Sequence, residues 1–556
     1  MRKIYGLLLF IILISAVSIR FNLLDKHFSH VDDFISVQRY QTLFSEEGTG
    51  KFANINSNFF NLRGKGSVNN IVNPFIYAGY VSFTSTYAPI QFILTYFFIN
   101  NNLDYNETLF WARFPSFIFS ILSFIVLYII FKRHLKNEDK TYFIGLLVLC
   151  LSWEYIIYSV QSETYAIGVF SFLICFLLFF NLLKSINELK LINAFLYGII
   201  FSILILTNYQ VIFILPALFF LIFISHKRDF KNNIFKILCM GIPILITTGA
   251  LYLFVLKKVS NAGVAWNAGL NNEFLYSING LSFFDAIKYS FHFFINNILI
   301  TFNSLVSFGD DTFVLNKVVS IFYLVCFIIG MFNMLISDNR VKKYFIYLII
   351  LSVSIFVVLI LNGKLTLSPT RHSLIYLSFI SLVIPEGVGV ILKWFKFIST
   401  FYYNSIIISL CIIIIFLHLS QFNKIKENRI DKFKVEEITD LTNKYKISNI
   451  YSINWTWNLL FMNPIKKNYK HEFDKARSSI HFFIKDTSNA EKNILLISHR
   501  EINYNILSKD IFANKIDFSK YKLLYQKEEN SATEICHSNL TNNGTNGLYI
   551  YIYGVK

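Results

Sequence analysis

Charged residues are scarce in this chain. Asp, Glu, Lys and Arg make up 15% of its 556 residues, whereas soluble proteins average about 25%. Proline is also rare, with 8 residues. This composition excludes both an ordinary soluble domain and a disordered chain. The formal net charge of +17 does not indicate a nucleic-acid partner, because membrane proteins collect Lys and Arg in short cytoplasmic loops.

Cysteine pairs and nucleotide-binding motifs are missing as well. Five of the six cysteines fall inside apolar runs, and only Cys536 lies in the polar C-terminal tail. A disulfide framework and a paired-cysteine metal site are therefore excluded there. The sequence contains no phosphate-binding G-x-x-x-x-G-K-[ST] loop, no G-x-G-x-x-G fingerprint, no H-E-x-x-H motif and no internal repeat.

Apolar residues dominate what is present. Hydrophobic residues make up 54% of the chain and aromatic residues 18%, and the mean hydropathy is +0.50. Apolar runs of membrane-spanning length recur up to about residue 420, which predicts a polytopic α-helical membrane protein. The first run resembles a signal peptide, but no small-residue cleavage site follows, so we interpret it as a retained helix. We predict eleven spans, at roughly 4–19, 109–131, 142–158, 165–183, 191–206, 209–224, 234–256, 313–336, 344–361, 373–392 and 397–419.

Two further apolar stretches, 87–99 and 283–308, are ambiguous by length or by polar interruptions. The positive-inside rule resolves them, because cytoplasmic loops carry an excess of Lys and Arg. If neither stretch crosses, six basic clusters fall on the cytoplasmic side. We therefore predict that both lie at the membrane interface. The tail and a long first loop, 20–108, are then outside. The six clusters are Arg2-Lys3, Lys132–Lys140, Lys184–Lys190, Lys227–Lys231, Arg340–Lys343 and Lys393–Lys396.

An acidic pair, Asp32-Asp33, follows the first apolar run, with His30 just before it. Charge close to hydrocarbon has to be hydrated, paired or functional. One carboxylate can serve as a general base towards an acceptor hydroxyl or amine. The other can orient it, contact the acceptor or bind a cation, since adjacent side chains point in different directions. The alternative is a solvated loop that happens to contain two Asp.

A second polar stretch on the predicted outer face is the turn Tyr158–Tyr165. It holds Gln161 and Glu163 at a membrane boundary among aromatic residues. An interfacial aromatic belt with a polar turn explains it equally well.

A third stretch, Ser368–His372, carries Arg371, with Lys364 upstream. The planar guanidinium suits phosphate oxygens. A lipid-headgroup anchor is the alternative. Few other charges lie within the spans, and those few are near span ends, which argues against a proton-coupled transporter. They are Arg113, Glu154, Lys236, Lys317 and Glu386.

In their order along the chain, these stretches resemble the motifs of GT-C-type integral-membrane glycosyltransferases. The similar branch contains the protein O-mannosyltransferases and the aminoarabinose transferases that modify lipid A. Asp32-Asp33 resembles the family's Asp-Glu motif. The resemblance covers residues 1 to about 400, and the order of the motifs makes it specific. The other matching stretches are Tyr87-Ala88-Pro89-Ile90-Gln91-Phe92, Trp111-Ala112-Arg113-Phe114-Pro115-Ser116, Tyr158–Tyr165 and Pro369-Thr370-Arg371-His372.

The resemblance implies sugar transfer from a polyprenyl-phosphate-linked donor to an extracytoplasmic lipid, glycan or protein. Asp32 is then the general base of an inverting reaction, and Asp33 is its partner or the ligand of a divalent cation. Arg371 and Lys364 are expected to bind the donor phosphate. No nucleotide or nucleic acid is expected. The residues expected to contact substrate are His30, Tyr87, Tyr158, Gln161, Glu163 and His372.

The predicted domain organisation has two parts. Residues 1–420 form a GT-C-like transmembrane catalytic domain in a bacterial inner membrane, and residues 421–556 form a small extracytoplasmic α/β domain. In the tail we predict a helix near 435–446 and strands near 450–454, 493–498 and 548–553.

Two other functions stay open. One is a transporter or flippase for lipid-linked saccharides, which would not depend on Asp32. The other is a non-catalytic envelope protein that retains the fold, since Gln161 and Glu163 depart from the family's Glu and Arg.

Overall fold

The structure is a computed structural model, and the residues that it describes fall into two groups. Contacts between residues divide the chain into two compact units. The first is helical, and its described residues lie within Met1–Leu24, Thr42–Asn100 and Trp111–Phe422. The second contains a β-sheet, and its described residues lie within Asn101–Phe110 and Asn423–Lys556. The described residues are 2–24, 88–99, 105–135, 140–162, 164–226, 230–253, 282–306, 314–362, 374–394 and 400–427, followed by 440–447, 449–453, 470–473, 480–484, 493–498, 521–530 and 547–555.

Fourteen α-helices make up the described part of the N-terminal region. Long apolar runs form helices in a membrane because only intrachain hydrogen bonds can satisfy their backbone there. In chain order the helices are α1 (Arg2–Leu24), α2 (Pro89–Tyr96), α3 (Tyr105–Ile130), α4 (Tyr142–Leu151), α5 (Trp153–Ser159), α6 (Tyr165–Ser185), α7 (Leu191–Thr207), α8 (Val211–Ser225), α9 (Phe230–Leu251), α10 (Phe283–Ser304), α11 (Val314–Ile336), α12 (Arg340–Leu361), α13 (Tyr376–Trp394) and α14 (Thr400–Glu427).

Among the described residues, eight helices are long and apolar enough to cross a membrane, namely α1, α3, α6, α9 and α11–α14. The protein is therefore a polytopic helical membrane protein, as the sequence predicted. A ninth candidate is the pair α4–α5, which is bent by 53° at a single residue. Helices α7 and α8 are shorter apolar helices of 17 and 15 residues. Each of the eleven predicted spans thus coincides with a helix or with this bent pair.

The two ambiguous stretches are helical too. The first contains α2, which has 8 residues and is too short to span. The second contains α10, which has 22 residues and does not meet the hydropathy of a span. Neither counts among the spanning helices of the described chain.

Basic side chains near the ends of separate helices bind backbone carbonyl groups at one end of the helices, which we call the basic face. The contacts join loops that the sequence predicted to be cytoplasmic. A cation at these positions satisfies carbonyl groups that helix ends leave free. The bonds run from Lys184 Nζ to Arg133 O (3.1 Å), from Lys236 Nζ to Ile186 O (2.9 Å) and Asn187 O (2.8 Å), and from Arg340 Nη2 to Ser225 O. Lys342 and Glu386 add a salt bridge of 2.7 Å.

Glycines allow α11 and α13 to pack backbone against backbone. A Cβ built on Gly387 would overlap the carbonyl oxygen of Cys326, and one built on Gly330 would overlap that of Val383. Small residues commonly permit such close approach between membrane helices, where dispersion and packing supply the association energy.

The C-terminal unit contains one six-stranded sheet with strand order β2-β3-β1-β4-β6-β5. The pair β1–β4 is parallel and the other pairs are antiparallel. Ile450, Leu495 and Ile552 are adjacent across the three central strands and are buried. The strands are β1 (Asn449–Ile453), β2 (Lys470–Phe473), β3 (Ile480–Ile484), β4 (Ile494–Ser498), β5 (Tyr521–Asn530) and β6 (Gly547–Val555).

The three strands predicted from the sequence correspond to β1, β4 and β6. Of the predicted helix, residues 440–444 are helical. The rest of the predicted helix, 435–439, lies outside the described residues.

The predicted topology can be tested by cysteine labelling on intact cells. In a Cys536→Ser background, Ser36→Cys and Ser538→Cys should both react with a membrane-impermeant thiol reagent. Ser337→Cys, which precedes α12 at the basic face, should react only after the membrane is opened. Labelling at position 36 without labelling at 538 would mean that α2 or α10 crosses, and that the tail lies inside.

Candidate functional site in the helical unit

Most of the predicted site residues lie outside the described residues. These are His30, Asp32, Asp33, Tyr87, Glu163, Lys364, Arg371 and His372. Their roles stay predictions. Tyr158 and Gln161 are described, as are the residues that flank the acidic loop.

Tyr158 and Gln161 lie at the end of α5 and in the turn that follows it. Both are buried. The Tyr158 ring packs edge-on against Tyr165, with ring centroids 5.7 Å apart. The structure therefore places both residues in one buried turn.

The helix that leads into the acidic loop is fixed at its C-terminal end by Arg113. Its Nη1 donates to the carbonyl oxygen of Leu24 at 3.0 Å, and both residues are fully buried. The last carbonyls of a helix have no intrahelical partner and carry a partial negative charge, so a cation is stabilising there. Arg113 belongs to the Trp111–Ser116 motif. This motif thus holds the helix end from which the chain continues to Asp32.

A second bond joins two of the sequence motifs. The side-chain amide of Gln91 in α2 donates from Nε2 to Ser116 Oγ in α3 at 2.9 Å, and both residues are fully buried. Gln91 comes from the stretch that begins at Tyr87, and Ser116 ends the Trp111–Ser116 motif. The structure therefore brings together two stretches that the sequence indicated only by their order.

Arg20 is a buried cation whose role the sequence did not reveal. It lies one turn before the end of α1 and is fully buried. Its Nη1 donates to the Cys150 carbonyl oxygen at 2.8 Å and to Ala16 O at 3.2 Å. Its guanidinium lies 5.0 Å from the ring centroid of Phe124 and 5.4 Å from that of Tyr155. These contacts join α1 to α3, α4 and α5.

The bond to Cys150 explains how α4 and α5 can be separate helices. In a continuous helix the Cys150 carbonyl would accept from the amide of Glu154. Ser152 is extended instead (φ −54°, ψ 123°) and interrupts the helix. A broken helix is tolerated at membrane depth where other groups satisfy the freed backbone. Arg20 supplies such a donor.

Glu154 lies in the first turn of α5, beside the break. Its Oε2 accepts a hydrogen bond from Ser304 Oγ of α10 at 3.3 Å, and its Oε1 is buried. Tyr155, the next residue, donates its hydroxyl to Ser123 Oγ at 2.9 Å. Consecutive side chains of α5 thus contact different neighbouring helices.

No group of three or more His, Cys, Asp or Glu side chains converges among the described residues. Asp33, the predicted cation ligand, lies outside them. The described residues therefore do not test the expectation of a divalent cation at Asp33.

Replacing Arg20 tests whether it closes the helix break. Arg20→Met leaves the Cys150 carbonyl without its donor, and an unsatisfied buried group costs about 1–3 kcal/mol. We expect a lower midpoint of thermal unfolding in detergent. Arg20→Lys keeps one charged donor and should cost less. Unchanged stability of Arg20→Met would indicate that relief of guanidinium desolvation offsets the lost bond.

No protein-family model matches the chain, and no curated protein matches it.

Proposed function

We propose that the chain is a GT-C-type glycosyltransferase that moves a sugar from a polyprenyl-phosphate-linked donor to an extracytoplasmic lipid, glycan or protein. The observation that carries the proposal is the ordered set of motifs around Asp32-Asp33. The bonds from Arg113 to Leu24 and from Gln91 to Ser116 support it. They tie two other motifs to the helix that precedes the acidic pair.

The proposed arrangement has eleven spans in a bacterial inner membrane, with the active site and the C-terminal unit outside the cytoplasm. The clustering of basic loops at one end of the helices supports this orientation. The acidic loop then lies at the opposite end, together with Lys364 and Arg371.

In the proposed reaction, Asp32 takes the proton of the acceptor hydroxyl or amine as the acceptor attacks the anomeric carbon. The bond between that carbon and the phosphate oxygen breaks, and the lipid phosphate leaves with the electron pair. Attack from the opposite face inverts the anomeric configuration. Arg371 and Lys364 stabilise the charge that develops on the leaving phosphate. Asp33 orients Asp32 or binds a cation.

Purified protein and a panel of polyprenyl-phosphate sugars test the proposal. Incubation with envelope lipid, glycan and protein acceptors should release polyprenyl phosphate and place the labelled sugar on one acceptor class. Release of lipid phosphate without a glycosylated product would indicate hydrolysis. No turnover with any donor by folded protein would contradict the proposal.

A flippase for lipid-linked saccharides is the second candidate, and the broken helix favours it. Discontinuous membrane helices with polar groups at the break occur at substrate sites of transporters. The break at Ser152 with Glu154 beside it has that form. In proteoliposomes, a flippase would move labelled lipid-linked saccharide between leaflets without releasing lipid phosphate. If neither transfer nor movement is measured, the remaining candidate is a non-catalytic envelope protein.

A further inference from the structure

Helix α10 exposes a stripe of large apolar side chains, and beside it the polar residues Asp285, Lys288, His292 and Asn296 are exposed as well. Its large apolar side chains point outward at three- and four-residue spacing, as a single helix face requires. Phe284 is 80% exposed and Phe291 is 68% exposed, and Ile287, Ile295 and Leu299 continue the same face. An exposed stripe of this size on a membrane protein is a surface for lipid.

The opposite face of α10 carries polar side chains into the protein. Asn297, Thr301 and Ser304 follow one another at i, i+4 and i+7, and all three are buried. In a soluble protein these residues would face water. The hydroxyls of Thr301 and Ser304 donate to carbonyl groups of their own helix, at 2.7 Å and 2.8 Å, as buried Ser and Thr in helices commonly do. A ligand is therefore indicated only by polar atoms that such bonds leave unsatisfied.

Two neighbouring helices, α5 and α11, bring further polar groups to α10. Ser304 Oγ lies 3.3 Å from Glu154 Oε2 of α5, and Ser320 Oγ of α11 lies 3.3 Å from Asn303 Oδ1. The shorter bonds of these two hydroxyls run to carbonyl groups of their own helices, Thr301 O at 2.8 Å and Asn316 O at 2.7 Å. We call the region formed by Glu154, Asn297, Thr301, Ser304 and Ser320 the polar seam. It lies between α5, α10 and α11.

Two acceptor atoms in the polar seam lack a donor. Glu154 Oε1 and Asn297 Oδ1 are buried and make no hydrogen bond within the residues that the structure describes. The Asn297 side-chain amide donates to Phe293 O at 2.8 Å, so only its oxygen is unsatisfied. Buried acceptors of this kind are normally satisfied by water or a ligand. An amide oxygen accepts, and so does an ionised carboxylate, so the missing partner of the two is a hydrogen-bond donor when Glu154 is ionised.

We propose that the polar seam binds the hydroxyl groups of the saccharide that this protein receives on its lipid carrier. The inference rests on the proposed function, but it holds for both transfer and flipping, since each must hold the sugar. Sugar hydroxyls donate readily to carboxylate and amide oxygens, and Glu154 and Asn297 present one of each. An ammonium group on an amino sugar offers the same donor chemistry.

Cysteine accessibility tests whether the polar seam admits water-soluble groups. In the Cys536→Ser background, Thr301→Cys and Ser304→Cys should react with cationic methanethiosulfonate reagents. Leu299→Cys and Ile295→Cys, on the lipid-facing side of the same helix, are matched controls that should react slowly. At positions 301 and 304, a cationic methanethiosulfonate reagent should react faster than an anionic one. Glu154→Gln should reduce this difference in reaction rate. Equal rates on both faces of α10 would overturn the inference.

Binding then tests the ligand. Polyprenyl phosphates with a neutral sugar, with an amino sugar and without sugar are compared on wild type, Glu154→Gln and Asn297→Ala. We expect the variants to bind the glycosylated lipids about tenfold more weakly and the bare lipid unchanged. Both glycosylated lipids should be affected if hydroxyls are bound, and only the amino sugar if ammonium is bound. Either result supports the seam as the saccharide site.

The failures of the two proposals are distinguishable. Wild-type transfer activity together with unchanged sugar binding by both variants would overturn the seam and leave the transferase intact. If the wild type binds glycosylated lipid better than bare lipid, the variants lose this preference and no turnover is measured, the seam is supported and the transferase proposal is contradicted. If the wild type binds glycosylated and bare lipid equally, the inference is wrong. Midpoints of thermal unfolding for both variants identify any loss of binding that comes from misfolding.

Discussion

Asp32→Asn protein should transfer sugar about 10²–10⁴-fold more slowly than wild type, the range that general-base catalysis contributes. Asparagine has nearly the same shape as aspartate, but its amide cannot accept the acceptor's proton. Donor binding should persist, because the proposed contacts with the lipid tail and the phosphate do not involve this carboxylate. The measurement is release of polyprenyl phosphate at saturating donor, together with the affinity for the donor.

Asp104→Asn is a matched control, because Asp104 lies in the same predicted outer loop and belongs to none of the motifs. It should retain wild-type turnover. Equal turnover of Asp32→Asn and wild type would remove Asp32 from the chemistry and direct attention to Asp33 or Glu163. Equal losses at Asp32 and Asp104 would indicate a general disturbance of the loop.

Gly387→Ala should severely reduce the yield of folded, monodisperse protein. The new methyl group would overlap the Cys326 carbonyl oxygen of α11. Both sides of this contact are helix backbone, so no flexible side chain can move aside. Overpacking of a tight interior costs about 1–3 kcal/mol and occasionally more, and separating two helix backbones belongs at the upper end. Size-exclusion profiles and the midpoint of thermal unfolding in detergent measure the effect.

Gly249→Ala in α9 provides the control. A Cβ built there has nothing within 4 Å. Alanine has the higher helix propensity, by about 1 kcal/mol, so this variant should be as stable as wild type or slightly more stable. If Gly387→Ala matches it in yield and unfolding midpoint, α11 and α13 do not pack as closely as described.

The helices could be predicted from the sequence because hydropathy over a span-length window depends only on local composition. The break at Ser152 could not. It involves neither Pro nor Gly, and the donor that satisfies Cys150 comes from Arg20, 130 positions earlier in the chain. The sequence placed Arg20 at the start of a loop. A cation one turn inside the end of a span was the signal that could have indicated burial.

The candidate site was predictable only as an order of motifs. The order indicated that residues near Gln91 and Ser116 belong to one function, and their hydrogen bond shows that the two stretches are neighbours in space. The inward direction of Asn297 and Ser304 could not be read from the sequence, because a polar stripe on an interfacial helix can face either water or the protein. Only the contacts of α10 with α5 and α11 show that its polar stripe faces the protein and not water.

The bonds at the basic face have a consequence for how the protein is made. On the predicted topology, Lys184, Lys236 and Arg340 first keep their segments from being translocated during insertion. Once the helices assemble, the same cations bind backbone carbonyl groups at the ends of neighbouring helices. Orientation and assembly therefore share the same side chains. A neutral substitution at Lys236 would therefore have two effects. It would weaken the charge signal that orients the segment during insertion, and it would remove the bonds to Ile186 O and Asn187 O in the folded protein.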